Sequence, residues 1–71
     1  MTAEDVAREA GAEAAEMMHL EGEDPAQVEE WADAWWHQHG VPSLECSDVP
    51  LSEAAEQTFK AAFVEAIASR L

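Results

Sequence analysis

The chain has 71 residues, room for one small domain, and 16 Asp and Glu against 3 Lys and Arg give it a net charge of −13. A field of that sign repels nucleic acid, anionic membrane surfaces and acidic substrates, which leaves basic macromolecules as partners. The hydrophobic share is 48%, but 15 residues are alanine. A core built from the remainder comes out near break-even against the ordering entropy of the chain, so self-association, a homodimer in its simplest form, or partner binding is expected. Three Trp, two Phe and clear helical periodicity predict an ordered chain despite the charge.

The first predicted helix opens after Thr2, a good N-cap, and runs to about Leu20, where Gly22 ends it. At 100° per residue, Ala3, Val6, Ala7, Ala10, Ala14, Met17 and Met18 form its apolar stripe. The second begins at Asp24 as N-cap, with Pro25 at the first helical position and Gln27 closing a capping box, and it ends at Gly40. Val28, Trp31, Ala32, Trp35 and Trp36 recur on it at helical spacing, which makes it the expected hub of the core.

From Gly40 to Pro50 two prolines predict a loop, with Val41, Leu44 and Val49 tucked under the core. The third helix starts near Leu51 or Ser52 and buries Leu51, Ala55, Phe59, Ala62, Phe63, Ala66 and Ile67. The whole predicts an all-α single domain over residues 1–71: three helices, a Pro-containing loop between the second and third, and the last helix packed across the first two. One cysteine, Cys46, allows no intramolecular disulfide, and neither a signal peptide nor an apolar run near ~20 residues is present. A cytoplasmic location and no membrane partner are the expectation.

The charge is polarised. Residues 1 to 33 hold 11 acids and one base, whereas residues 34 to 71 hold 5 acids and 2 bases. Asp5, Glu9, Glu13 and Glu16 share one arc of the first helix, and Glu21, Glu23, Asp24, Glu29, Glu30 and Asp33 extend the acids through the turn into the second. Like charges at such spacing cost a few tenths of a kcal/mol per pair. Consecutive carboxylates four residues apart rise ~6 Å, against one phosphate per ~3.4 Å on a DNA strand. One stripe is sparse as an imitation of a phosphate backbone, and two acidic helices side by side come nearer. A solvated, solubilising surface or adaptation to high salt is the plainer reading of the same residues.

In size, charge and lack of catalytic motifs the chain resembles the small phage and mobile-element inhibitors, anti-CRISPR proteins among them, some of which mimic DNA. The residues carrying the resemblance are Asp5, Glu9, Glu13, Glu16, the stretch Glu21-Gly22-Glu23-Asp24, Glu29, Glu30 and Asp33. It implies a non-enzymatic, cofactor-free inhibitor that blocks the basic nucleic-acid-binding groove of a larger protein, such as a CRISPR effector, without itself touching nucleic acid. The contrasting expectation is a helical adaptor or assembly subunit that binds through Trp36, at the edge of the apolar face, and Met18.

Other constellations are weaker. Glu16-Met17-Met18-His19 fits Glu-x-x-His, yet a di-iron bundle needs two such motifs and two more inward glutamates, so no metal is assigned. His37, His39 and Cys46 lack a fourth suitably spaced zinc ligand. His39 reads as a core-edge residue and His37 as a partner of Asp33. Pro42-Ser43-Leu44 is similar to the Asp-Ser-Leu of acyl carrier proteins but lacks the acid before the serine. Cys46 lies in an acidic field that disfavours thiolate.

Overall fold

A computed structural model describes residues 2–18 and 27–70, all-α and without a strand among them. The helix α1, Ala3–Met17, begins at a capping box: Asp5 N donates to Thr2 Oγ1 at 3.2 Å, and Thr2 N donates to Asp5 Oδ2 at 3.3 Å. Its buried residues are Ala7, Ala10, Gly11, Ala14 and Ala15, with Val6 and Met18 packed beside them. Met17, expected in the stripe, is 46% exposed. The stripe turns towards Gly11 because the neighbouring helix comes closest there, and the smallest residue faces it.

The helix α2, Val28–Trp35, passes without a break through a π turn, Trp36–Gly40, into α3, Val41–Cys46. Gly40 therefore does not end the second helix, and much of the expected loop is helical. An α-helical ring at Pro42 would collide with the carbonyl of Gln38. The π turn widens the helix just before it, with Val41 N–H donating to Trp36 O, five residues back. Gly40 keeps right-handed dihedrals of φ −62° and ψ −53°. Its missing side chain is required by space, since a Cβ there would press on the Trp36 ring and lie 3.0 Å from Phe59 Cδ2. The expected start of the second helix at Asp24 and Pro25, and the Gly22 turn, lie outside the described residues.

Asp48 ends α3 in the left-handed region at φ 56°. Its N–H donates to Glu45 O at 3.1 Å, and Val49 N–H donates to Leu44 O at 2.9 Å, the paired bonds of a Schellman cap. The expected burial under the core holds for Leu44, fully buried, and for Val41 and Val49, half-buried. Ser52 then caps α4, Glu53–Arg70, its Oγ accepting from Ala55 N at 3.1 Å. Ala55, Phe59, Phe63 and Ile67 form a stripe four residues apart, while Leu51 is 48% exposed and outside it.

The hub is α4 rather than the Trp-bearing helix. It runs parallel to α1, with Gly11 against Phe59, Ala62 and Phe63 and Ala15 O accepting from Arg70 Nη1. It runs antiparallel to α2, with Lys60 bonded to Asp33 and Phe59 set against Trp36. The short helix α3 packs against α1 and the π turn. The bundle measures 36 × 18 × 17 Å, and none of its described helices is long and apolar enough to cross a membrane.

Candidate functional site: an acidic strip and a groove on α1

With Ala7, Ala10, Gly11, Ala14 and Ala15 turned inward, helical geometry sends Asp5, Glu9, Glu13 and Glu16 to the opposite side of α1. Glu9, Glu13 and Glu16 are exposed there, over about 10 Å of helix axis. Asp5 has a second task. Hydrogen bonds from the Thr2 backbone and side chain, and Arg8 at 3.4 Å, hold its carboxyl below the usual carboxylate value.

The acids of α2 do not continue this strip. Glu29, Glu30 and Asp33 are exposed, but α2 packs on α4 and the π turn, on a different flank from α1. The expected side-by-side pair of acidic helices is thus replaced by two acidic flanks with α4 between them. Asp33 is paired with Lys60 Nζ at 3.0 Å, and Glu56 meets the same ammonium at 3.2 Å. The hydrogen bond from Lys60 lowers the Asp33 pKa, and the same bond raises that of Lys60. Lys60, not His37, is therefore the partner of Asp33. Glu21, Glu23 and Asp24 lie outside the described residues.

All three bases are engaged within the chain: Arg8 with Asp5, Lys60 with Asp33 and Glu56, and Arg70 with the Ala15 carbonyl at the end of α1. No Lys or Arg among the described residues lies against Glu9, Glu13 or Glu16. Among the described residues the group that approaches them is His39, whose Nε2 lies 3.4 Å from Glu13 Oε2.

Sequence reasoning missed the setting of that pair. The π turn carries His39 to the edge of a groove of about 490 Å³ between α1 and α3. Glu9 and Glu13 form one wall, Pro42, Ser43 and Cys46 the other, and Val6 and Ala10 the apolar floor. His39 Nε2 is shut off from solvent and has no hydrogen bond, because the approach to Glu13 lacks the geometry of one.

Trp36, the expected interface residue, is buried at 5% exposure, with its ring edge-on to Phe59 at 5.5 Å between centroids. Its place follows from α-helical spacing, four and eight residues after the buried Ala32 and Val28, and Gly40 one turn later lies against its ring. Among the described residues no three His, Cys, Asp or Glu converge as metal ligands, and His19 of the Glu-x-x-His motif lies outside them. Comparison with family models, curated proteins and solved structures finds no match to this chain.

Proposed function

We propose that the chain is a non-enzymatic acidic inhibitor that occupies the basic nucleic-acid-binding groove of a larger protein and excludes nucleic acid from it. A CRISPR effector is the kind of target that the resemblance supplies. The observation that carries the reading is the exposed row Glu9, Glu13 and Glu16, with every Lys and Arg of the chain committed elsewhere. A solubilising surface would be served as well by acids interspersed with bases. A one-signed strip on a rigid helix instead matches a one-signed groove, and at 36 Å the bundle spans the axial length of about ten phosphates of one DNA strand. A single strip flanked by α4 acts here as an electrostatic plug rather than as a copy of two phosphate rows.

The adaptor reading loses its anchor, because Trp36 fills the protein's own core. The test is a pull-down from a DNA-processing host lysate at low and moderately high salt, with duplex DNA as competitor. Capture of a basic nucleic-acid-binding complex, lost in salt, displaced by DNA and abolished by Glu9→Lys, Glu13→Lys and Glu16→Lys together, is expected. Salt-resistant capture of a protein that binds no nucleic acid, unaffected by these reversals, would overturn the reading.

A further inference from the structure

The helix α1 lacks a cation where its dipole calls for one. Glu4 and Asp5 in the first turn suit the positive end of a helix, but the last turn carries no Lys, Arg or His, and the exposed Glu13 and Glu16 add negative charge there. Met18 follows in an extended conformation, φ −81° and ψ 129°, rather than in the left-handed one that folds a chain back over its last carbonyls. Its N–H reaches Ala15 O at 3.3 Å, a long bond. The cation comes instead from α4, where Arg70 Nη1 donates to the same Ala15 O across 55 residues of sequence.

This base is used differently from the other two. Arg8 and Lys60 are bonded to carboxylates, whereas Arg70 is bonded to a backbone carbonyl and, among the described residues, forms no ion pair with Glu13 or Glu16. It brings positive charge to the negative end of α1 and leaves the exposed carboxylates unneutralised. The Ala15 carbonyl belongs to the same peptide unit as the Glu16 N–H, so the bond acts on the backbone that carries Glu16 without touching its side chain.

We propose that Arg70 is a positioning residue for the acidic strip: by capping α1 at Ala15 it keeps the last turn helical and Glu16 in line with Glu9 and Glu13. The inference rests on the inhibitor reading for what the strip does, and it adds the residue that holds the strip in shape. A base that merely offset charge would give the opposite sign on removal. Without Arg70 the chain is one unit more negative, which by long-range attraction alone strengthens association with a basic groove. Loss of the cap frays the end of α1 and weakens it.

The test compares the full chain with Arg70→Met, which keeps an apolar stem without the guanidinium, and with Arg70→Lys, which restores a cation. In the free proteins, amide hydrogen exchange at Glu16 and Met17 should quicken by about fivefold in Arg70→Met, recover in part in Arg70→Lys and stay unchanged at Phe59 and Phe63. For binding, the probe is the basic complex captured in the pull-down. Arg70→Met should lower affinity for it by about threefold, and should lower it no further when Glu16→Gln is already present, since the cap acts through Glu16. Unchanged exchange at the end of α1, or loss of protection at Phe59 and Phe63 as well, would overturn the proposal. So would tighter binding by Arg70→Met, or an equal loss with and without Glu16→Gln. Local fraying in Arg70→Met, in a chain whose parent captures no nucleic-acid-binding protein, would overturn the inhibitor reading alone. DNA-sensitive capture that is the same for the parent and Arg70→Met would overturn this inference alone.

Discussion

A Cβ at Gly11 would lie 2.5 Å from Phe59 O, 3.1 Å from Ala62 Cβ and 3.2 Å from Phe63 N, all on a neighbouring helix and two of them backbone atoms that cannot swing away. In an isolated helix Gly→Ala gains about 1 kcal/mol, whereas overpacking a tight contact costs about 1–3 kcal/mol, so the clash should win. Gly11→Ala is expected to lower Tm by several degrees in thermal melts followed by circular dichroism. A raised Tm would mean that α1 and α4 stand farther apart. Asp5 acts at the same scale through charge. Its folded pKa is lowered by the Thr2 hydrogen bonds, so its contribution to stability is present above the unfolded value of about 3.9 and is lost as pH falls through the folded value. Asp5→Asn should therefore melt below the parent at pH 6–7, with the difference closing below pH 4. A constant difference across that range would show that the charge of the capping box contributes nothing.

At the scale of the elements, Trp36 closes the buried stripe of α2, and the π turn carries the chain on from it into α3. Trp36→Ala removes a buried indole that meets Phe59 edge-on and underlies Gly40, a change that costs about 3–5 kcal/mol in a well-packed core. Small domains have little more than that in total, so the variant should be largely unfolded at 25 °C in urea titrations, and Trp36→Phe should recover much of the loss. Full folding of Trp36→Ala would return this residue to the surface and revive the adaptor reading. The Thr2 cap and the stripe Ala55, Phe59, Phe63 and Ile67 were legible in the sequence because each obeys a local rule of spacing. The burial of Trp36 was not, because it stands at one edge of the apolar arc, in line with Val28 and Ala32, and which edge the neighbouring helix covers depends on how the helices pack rather than on spacing. Gly40 misled for a related reason: a glycine demanded by close packing looks the same in sequence as one that ends a helix. The pairs Asp33–Lys60 and Glu13–His39 join residues more than twenty apart. They depend on how an Ala-rich α1 and a narrow α4 choose to cross, which spacing leaves open. The candidate site was accordingly half readable, since the acids of α1 could be listed on one arc while the groove that two of them line could not.

At the scale of the whole molecule the same carboxylates act in opposite directions on folding and on binding. A net charge of −13 in a bundle of 36 × 18 × 17 Å puts exposed acids within one another's reach, because the Debye length is about 30 Å at 0.01 M salt and shortens to about 10 Å at 0.1 M. Raising salt should screen that self-repulsion and raise the Tm of the free chain. It should also screen the attraction to a basic groove and return counterions to it, weakening the complex by about tenfold or more between 0.05 and 0.2 M if three or four carboxylates are engaged. The two trends must appear together, in melts of the free chain and in binding isotherms of the captured partner over one salt series. A Tm that does not move would mean that the internal pairs of Arg8 and Lys60 already relieve the repulsion. A complex that holds its affinity while the Tm rises would separate the two roles of the charge, leaving the acids to keep the chain dispersed and placing recognition on uncharged surface.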